Sequence, residues 1–180
     1  MKSLLLAIGL AAASVMSSAD SVKVTVGHMC CGACKASATA GVKSVAWADT
    51  IAIDGTVVTV AAKSGMKVDL ISLTDALNKC GFPATEITTS GPVTLTLAHL
   101  CCAGCANDLK GKIANIRSQV LDKDNVKVDQ AAKTITFQPL AGKELNIVPL
   151  LSQLQRQGFS ATACTIVTAS NGKPQVRASR

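Results

Sequence analysis

The chain has 180 residues, of which 48% are hydrophobic and only 2% aromatic, and its formal net charge at pH 7 is +7. This basic balance does not indicate a nucleic-acid-binding protein, because Lys and Arg are spread along the sequence and there is no Tyr to stack on bases. The length suits one ordinary domain or two small ones.

Residues 1–19 are predicted to form a secretory signal peptide. Lys2 supplies the positive start, residues 4–15 are mostly apolar, and small residues at 17–19 predict cleavage before Asp20. The apolar run is shorter than the roughly 18–20 residues that span a bilayer, which argues against a membrane anchor. We therefore expect an exported protein, periplasmic or secreted, without a stable membrane span after cleavage.

One short motif occurs twice, as HMCCGAC at residues 28–34 and as HLCCAGC at residues 99–105. Both His and six of the eight Cys of the chain lie in these two windows. Three sulfur ligands and an imidazole suit the soft ions Cu(I), Hg(II), Zn(II) and Cd(II). Each window also contains Cys-x-x-Cys, a spacing that metal sites share with dithiol redox sites.

The motif belongs to a longer internal repeat. It recurs at an offset of 71 residues, and a Gly-Phe pair near the other end of each copy, at 81 and 158, recurs at an offset of 77. In each copy a strand with alternating apolar residues precedes the motif and an amphipathic or Ala-rich helix follows it. The alternating residues are Val22, Val24 and Val26 in the first copy, and Val93, Leu95 and Leu97 in the second.

The remainder of each copy predicts a hairpin, a second helix and a final strand. Asp54-Gly55 indicates a two-residue turn in the first hairpin, and residues 129–133 a looser turn in the second. Asp69 and Asn146 are predicted to cap the second helices at their N-termini.

The order is β-α-β-β-α-β in both copies, which predicts an α+β protein with two tandem ferredoxin-like domains. We place these domains at 20–89 and 92–168, with residues 88–92 as the linker. Residues 169–180 are predicted to form a basic disordered tail.

A βαββαβ unit with Met-x-Cys-x-x-Cys after its first strand resembles the heavy-metal-associated domain family, which includes copper chaperones and the periplasmic mercury-binding protein. The resemblance covers both copies, and the residues that fall on the two metal-binding Cys of each unit are Cys31, Cys34, Cys102 and Cys105. Met29, replaced by Leu100 in the second copy, falls on a residue that packs beneath the loop. Phe82 and Phe159 fall on an aromatic position near the site.

This chain departs from the family motif at two positions of each copy. His28 and His99 stand where the family has Gly, and Cys30 and Cys101 stand where it has Thr. Two thiolates can hold Cu(I) or Hg(II) almost linearly, Cys30 or Cys101 could make that three-coordinate, and a Cys₃His set would suit tetrahedral Zn(II).

The start of a helix favours an anion, so the thiolates of Cys34 and Cys105 are expected to form more easily than those of ordinary cysteines. The two cysteines outside the motifs, Cys80 and Cys164, are either buried free thiols or a disulfide.

The sequence therefore predicts an exported soft-metal carrier or scavenger, with Cu(I) favoured over Hg(II), Zn(II) and Cd(II), and no enzyme. Its expected partner is a metal transporter or a metal-accepting protein. A thiol–disulfide redox protein using the same Cys-x-x-Cys pairs remains the alternative, and a structural adaptor with oxidised sites is a third.

Overall fold

A computed structural model describes residues 21–116 and 120–166 of the chain. The predicted signal peptide and the predicted tail lie outside these residues. Within the described ranges no helix combines the length and apolar character needed to cross a membrane.

The first half contains two helices and a four-stranded antiparallel sheet. Its elements are β1 (Ser21–Val26), α1 (Gly32–Lys43), β2 (Ala48–Asp54), β3 (Val57–Ala62), β4 (Val68–Asp69), α2 (Leu70–Lys79) and β5 (Ala84–Glu86). The strand order in the sheet is β2-β3-β1-β5, with Val24 of β1 opposite Val58 of β3.

The second half repeats this arrangement after the two-residue strand β6 (Thr88–Thr89). Its elements are β7 (Val93–Leu97), α3 (Ala103–Ile116), β8 (Lys127–Asp129), β9 (Thr134–Phe137), β10 (Leu145–Asn146), α4 (Ile147–Arg156) and β11 (Ala161–Ile166). The order β11-β7-β9-β8 matches the order in the first half. The predicted α+β fold with two ferredoxin-like units is confirmed.

The alternation of apolar and polar residues along the strands determines which side of each sheet is buried. In β1 the three Val side chains are buried, while the two residues between them, Lys23 and Thr25, are exposed and half-buried. In α2 the buried residues recur at helical spacing, and in α1 only Ala38 and Val42 are buried. The buried side chains of both halves form one continuous apolar cluster.

The two halves exchange short strands across their boundary. β4 of the first half pairs with β11 of the second, and β10 of the second half pairs with β6 at the end of the first. Thr88 and Thr89, assigned above to the linker, therefore belong to this inter-domain pairing. No local sequence pattern carries this information, because the partners are about sixty to one hundred residues apart.

Two local details differ from the predictions. The first hairpin turn consists of Gly55 and Thr56, one residue later than predicted, because Asp54 pairs with Val57. Of these two turn residues only Gly55 has a positive φ, at 54°, as a type II′ turn requires at its first central position. Val126, which its alternation with Val128 predicts to lie in the hairpin strand, instead lies between a 3₁₀ turn (Lys123–Asn125) and the start of β8, and its side chain is buried.

Candidate metal centres

Each motif occupies the loop between a first strand and a first helix, so the Cys residues meet at a helix N-terminus. Cys31 is the N-cap residue of α1, with extended backbone angles, and its side chain makes no capping hydrogen bond. Its carbonyl oxygen instead accepts the N–H of Lys35 at 3.2 Å, which begins the helix. Cys34 follows in the first turn, so the loop and the helix bring the sulfurs to the same place.

Three thiols converge in each copy. In the first cluster, formed by Cys30, Cys31 and Cys34, the Sγ atom of Cys34 lies 3.5 Å from that of Cys30 and 3.3 Å from that of Cys31. All three sulfurs lie within 4.8 Å of one another. The structure thus assembles the Cys-x-x-Cys pair together with the additional Cys30.

The second cluster, formed by Cys101, Cys102 and Cys105, has the same form. The Sγ atom of Cys105 lies 3.6 Å from that of Cys101 and 3.5 Å from that of Cys102. These three sulfurs also lie within 4.8 Å of one another. Two equivalent three-thiol clusters therefore arise from the two copies of the motif.

The first two thiols of each cluster are exposed, and the third, at Cys34 or Cys105, is half-buried against the apolar core. This placement holds one sulfur on a rigid element and leaves two accessible from solution. An ion can reach such a cluster, and a second protein can approach it, without any part of the fold opening.

The two imidazoles lie beside the clusters rather than in them. The clusters found among the described residues contain three Cys and no His. The ring of His28 packs on Phe82 with centroids 5.4 Å apart, and the ring of His99 stacks on Phe159 at 6.1 Å. The geometry does not assemble the Cys₃His set considered above for Zn(II).

The loops are held from below and, in the second copy, from the side. Leu100 is fully buried, and Met29 is half-buried against the core, so both residues anchor their loops. The side-chain amide of Gln130 donates to the carbonyl oxygen of Cys101 at 3.2 Å. The ammonium group of Lys112 lies 5.1 Å from the centre of the Phe159 ring and pairs with Asp108 at 2.9 Å. Sequence analysis missed Gln130, Lys112 and Asp108, since no motif marks them.

In the first cluster the helix N-terminus acts on the thiol of Cys31, the residue that precedes α1. The pKa of Cys31 is lowered, first by the backbone N–H of Cys34, which faces its sulfur, and then by the neighbouring Cys34 thiol. The Cys34 thiol also raises the pKa of the neighbouring Cys30, which keeps its proton longer. The helix N-terminus therefore favours the thiolate of Cys31.

The second cluster shows the same effect and corrects the prediction for Cys105. The backbone N–H of Cys105 points at the Cys102 sulfur, 3.5 Å away, and this contact lowers the pKa of Cys102. The pKa of Cys105 is raised, chiefly by the hydrogen bond with the Cys102 thiol. The donor N–H thus belongs to Cys105 in the first helical turn, and the sulfur that accepts it belongs to Cys102, which precedes the helix.

The remaining cysteines do not pair. Cys80 and Cys164 are both free thiols. Cys80 ends α2, whereas the N–H of Cys164 bonds to Asp69 at the start of that helix, so about 15 Å of helix separates them. The interpretation as free thiols therefore fits, and a disulfide between them does not. Cys80 instead packs where α1 approaches closely at Gly41, whose missing side chain leaves room for the Cys80 sulfur.

No protein-family model and no curated protein matches this sequence. The chain is similar to two solved structures, the water-soluble region of the P-type ATPase CopA from Bacillus subtilis and the N-terminal soluble domains of Bacillus subtilis CopA. The first has a TM-score of 0.35 and 16% identity over 89% of this chain and 97% of that chain. The second has the same score and identity over 80% and 92%. With such TM-scores, neither similarity bears on what this chain binds.

Proposed function

We propose that this chain is an exported soft-metal-binding protein, a carrier or scavenger with one thiolate site in each of its two ferredoxin-like units. The observation that supports this most strongly is the pair of three-thiol clusters at equivalent positions. Sulfur-only donor sets select soft ions, and among these we favour Cu(I) as the cargo, with Hg(II), Zn(II) and Cd(II) as the other candidates.

The geometry also supports transfer by ligand exchange. Cys31 and Cys102 combine exposure with a lowered pKa, so each offers a ready thiolate at the surface. An incoming thiolate of a partner protein can replace one sulfur at a time without releasing the ion to water. The partner we propose is a metal transporter or another metal-accepting protein, and no chemical reaction on a substrate is involved.

The proposal is tested by elemental analysis of anaerobically purified protein, with free thiols counted on the same sample. We expect up to two Cu(I) ions per chain on titration against a competing chelator, with the motif thiols protected. A single ion protecting all six motif thiols would indicate one shared site instead. Protein that retains no soft metal under any of these conditions would contradict the proposal.

One observation favours the redox alternative. The Sγ atoms of Cys31 and Cys34 are only 3.3 Å apart, so little movement would join them in a disulfide. If the thiols serve to bind metal, Cu(I) should slow their oxidation, as mapped by mass spectrometry after mild oxidation. Reversible cycling with a dithiol reductant, without metal retention, would assign the protein to the redox class.

A further inference from the structure

We propose that each three-thiol cluster also binds a trivalent metalloid of the arsenite class, held by all three sulfurs in a pyramid. This inference rests on the proposed function in that it uses the same thiols. It extends that function to a different class of ligand, one that requires Cys30 and Cys101 where a linear Cu(I) complex does not.

The separations between the sulfurs favour this geometry. With metal–sulfur bonds of about 2.3 Å, two sulfurs bound linearly lie about 4.6 Å apart, and three bound in one plane lie about 4.0 Å apart. A lone pair on a three-coordinate ion narrows the angles between its bonds, which brings the three sulfurs closer together than in the planar arrangement. In each cluster the sulfur of Cys34 or Cys105 lies 3.3 to 3.6 Å from the other two sulfurs, and those two lie within 4.8 Å of each other.

The number of thiols points the same way. Linear two-coordinate binding uses Cys31 and Cys34 and leaves Cys30 without a partner, although its sulfur lies within the cluster. The same surplus thiol occurs in the second copy at Cys101. A trivalent centre makes three equivalent bonds to sulfur and so accounts for the third thiol in both places.

Formal charge supports the assignment. Three thiolates cancel the charge of a trivalent centre completely, whereas three thiolates around Cu(I) leave two negative charges. The three sulfurs of each cluster lie within 4.8 Å of one another, so negative charge that the bound ion does not cancel is unfavourable there. A neutral product avoids that cost.

The binding reaction balances without an oxidant or reductant. Each thiol sulfur displaces one hydroxyl group from As(OH)₃, so that one As–O bond breaks and one As–S bond forms. The thiol proton leaves with the hydroxyl group as water. After three such steps the centre is still trivalent, three water molecules have been released, and no electrons have been transferred.

The test is a titration of the full, anaerobically reduced chain with sodium arsenite, followed by counting free thiols and by arsenic K-edge absorption. We expect two arsenic atoms per chain, each with three sulfur neighbours, and six protected thiols. Cys30→Ser should reduce this to one arsenic and three protected thiols. Cys101→Ser should do the same through the other cluster. Cys80→Ser, which alters a thiol outside both clusters, should change neither count.

The parallel Cu(I) titration separates the two proposals. A chain that binds two Cu(I) but leaves its thiols free in arsenite would overturn this inference alone. Arsenic with only two sulfur neighbours, or arsenite binding unaltered in Cys30→Ser, would also overturn it. A chain that binds neither Cu(I) nor arsenite would contradict the proposed function as well.

Discussion

The carboxylate of Asp69 accepts the backbone N–H of Cys164 at 2.9 Å, across the boundary between the two ferredoxin-like units. The same carboxylate caps α2 by accepting the N–H groups of Ile71 and Ser72. Its counterpart in the second half, Asn146, caps α4 and accepts the N–H of Ile87 at 3.3 Å. Each N-cap residue thus also satisfies a backbone donor of the other half, which makes the two units depend on each other.

Replacing Asp69 by Ala should destabilise the whole described protein rather than one half. Loss of an N-cap costs about 1 kcal/mol, and an unsatisfied buried N–H adds about 1–3 kcal/mol, so we expect a loss of about 2–4 kcal/mol. Chemical denaturation followed by circular dichroism measures it, and the transition should remain single. The control, Asp69→Asn, keeps both acceptor functions, as Asn146 does, and should lose much less. Two separate transitions in the wild-type chain would contradict the coupling of the halves.

Burial of Cys164 predicts a second effect on stability. Desolvation, assisted by the negative charge of Asp69, raises the pKa of this thiol from 9.0 to about 12. Because the unfolded chain loses this proton first, the contribution to stability is complete below pH 9 and is lost progressively as the pH rises from 9 towards 12. The free energy of unfolding should therefore fall over that range.

The measurement is a series of denaturant titrations between pH 8 and the alkaline limit of the folded state, compared with the variant Cys164→Ala. The variant should be less stable at pH 8 because of the cavity, and its stability should fall less steeply above pH 9. Equal slopes in both proteins would show that Cys164 does not titrate as its burial requires.

Much of this fold could be predicted from the sequence, because the signals are local. The alternation of Val22, Val24 and Val26 identifies a strand, and Asp69 and Asn146 identify helix starts. The motif Cys residues also meet as expected, since the three of each cluster lie within five consecutive residues. The pairing of short strands between the two halves could not be predicted, because the partners lie far apart in the sequence. For the same reason, the sequence around each N-cap residue does not indicate which distant N–H it also accepts. The prediction of an easily formed thiolate at Cys105 failed similarly, since the outcome depends on which sulfur faces the N–H of Cys105.

The ligand assignment predicts unequal effects within one cluster. Cys31→Ser or Cys34→Ser should abolish tight Cu(I) binding in the first half and leave the second half unaffected, because each removes one of the two proposed linear ligands. Cys30→Ser should do less and at most alter the coordination number. Copper stoichiometry and X-ray absorption of the three variants measure this. The assignment is wrong if Cys30→Ser proves the most damaging of the three.

The pKa directions predict which thiols react first. The lowered pKa values of Cys31 and Cys102 make them the leading thiolates, while the raised values hold Cys30 and Cys105 in the neutral form. In metal-free, reduced protein, iodoacetamide should therefore label Cys31 before Cys30, and Cys102 before Cys105.

Timed quenching and peptide mass spectrometry give the order of labelling, and repetition at decreasing pH tests its cause. Because only the thiolate reacts, every rate should decline as the pH falls, but the rates of Cys31 and Cys102 should persist to lower pH than those of Cys30 and Cys105. Buried Cys164 serves as the internal control and should remain unlabelled until the protein is unfolded. If Cys105 were labelled before Cys102, the hydrogen bond from the Cys105 N–H would not determine which sulfur carries the charge.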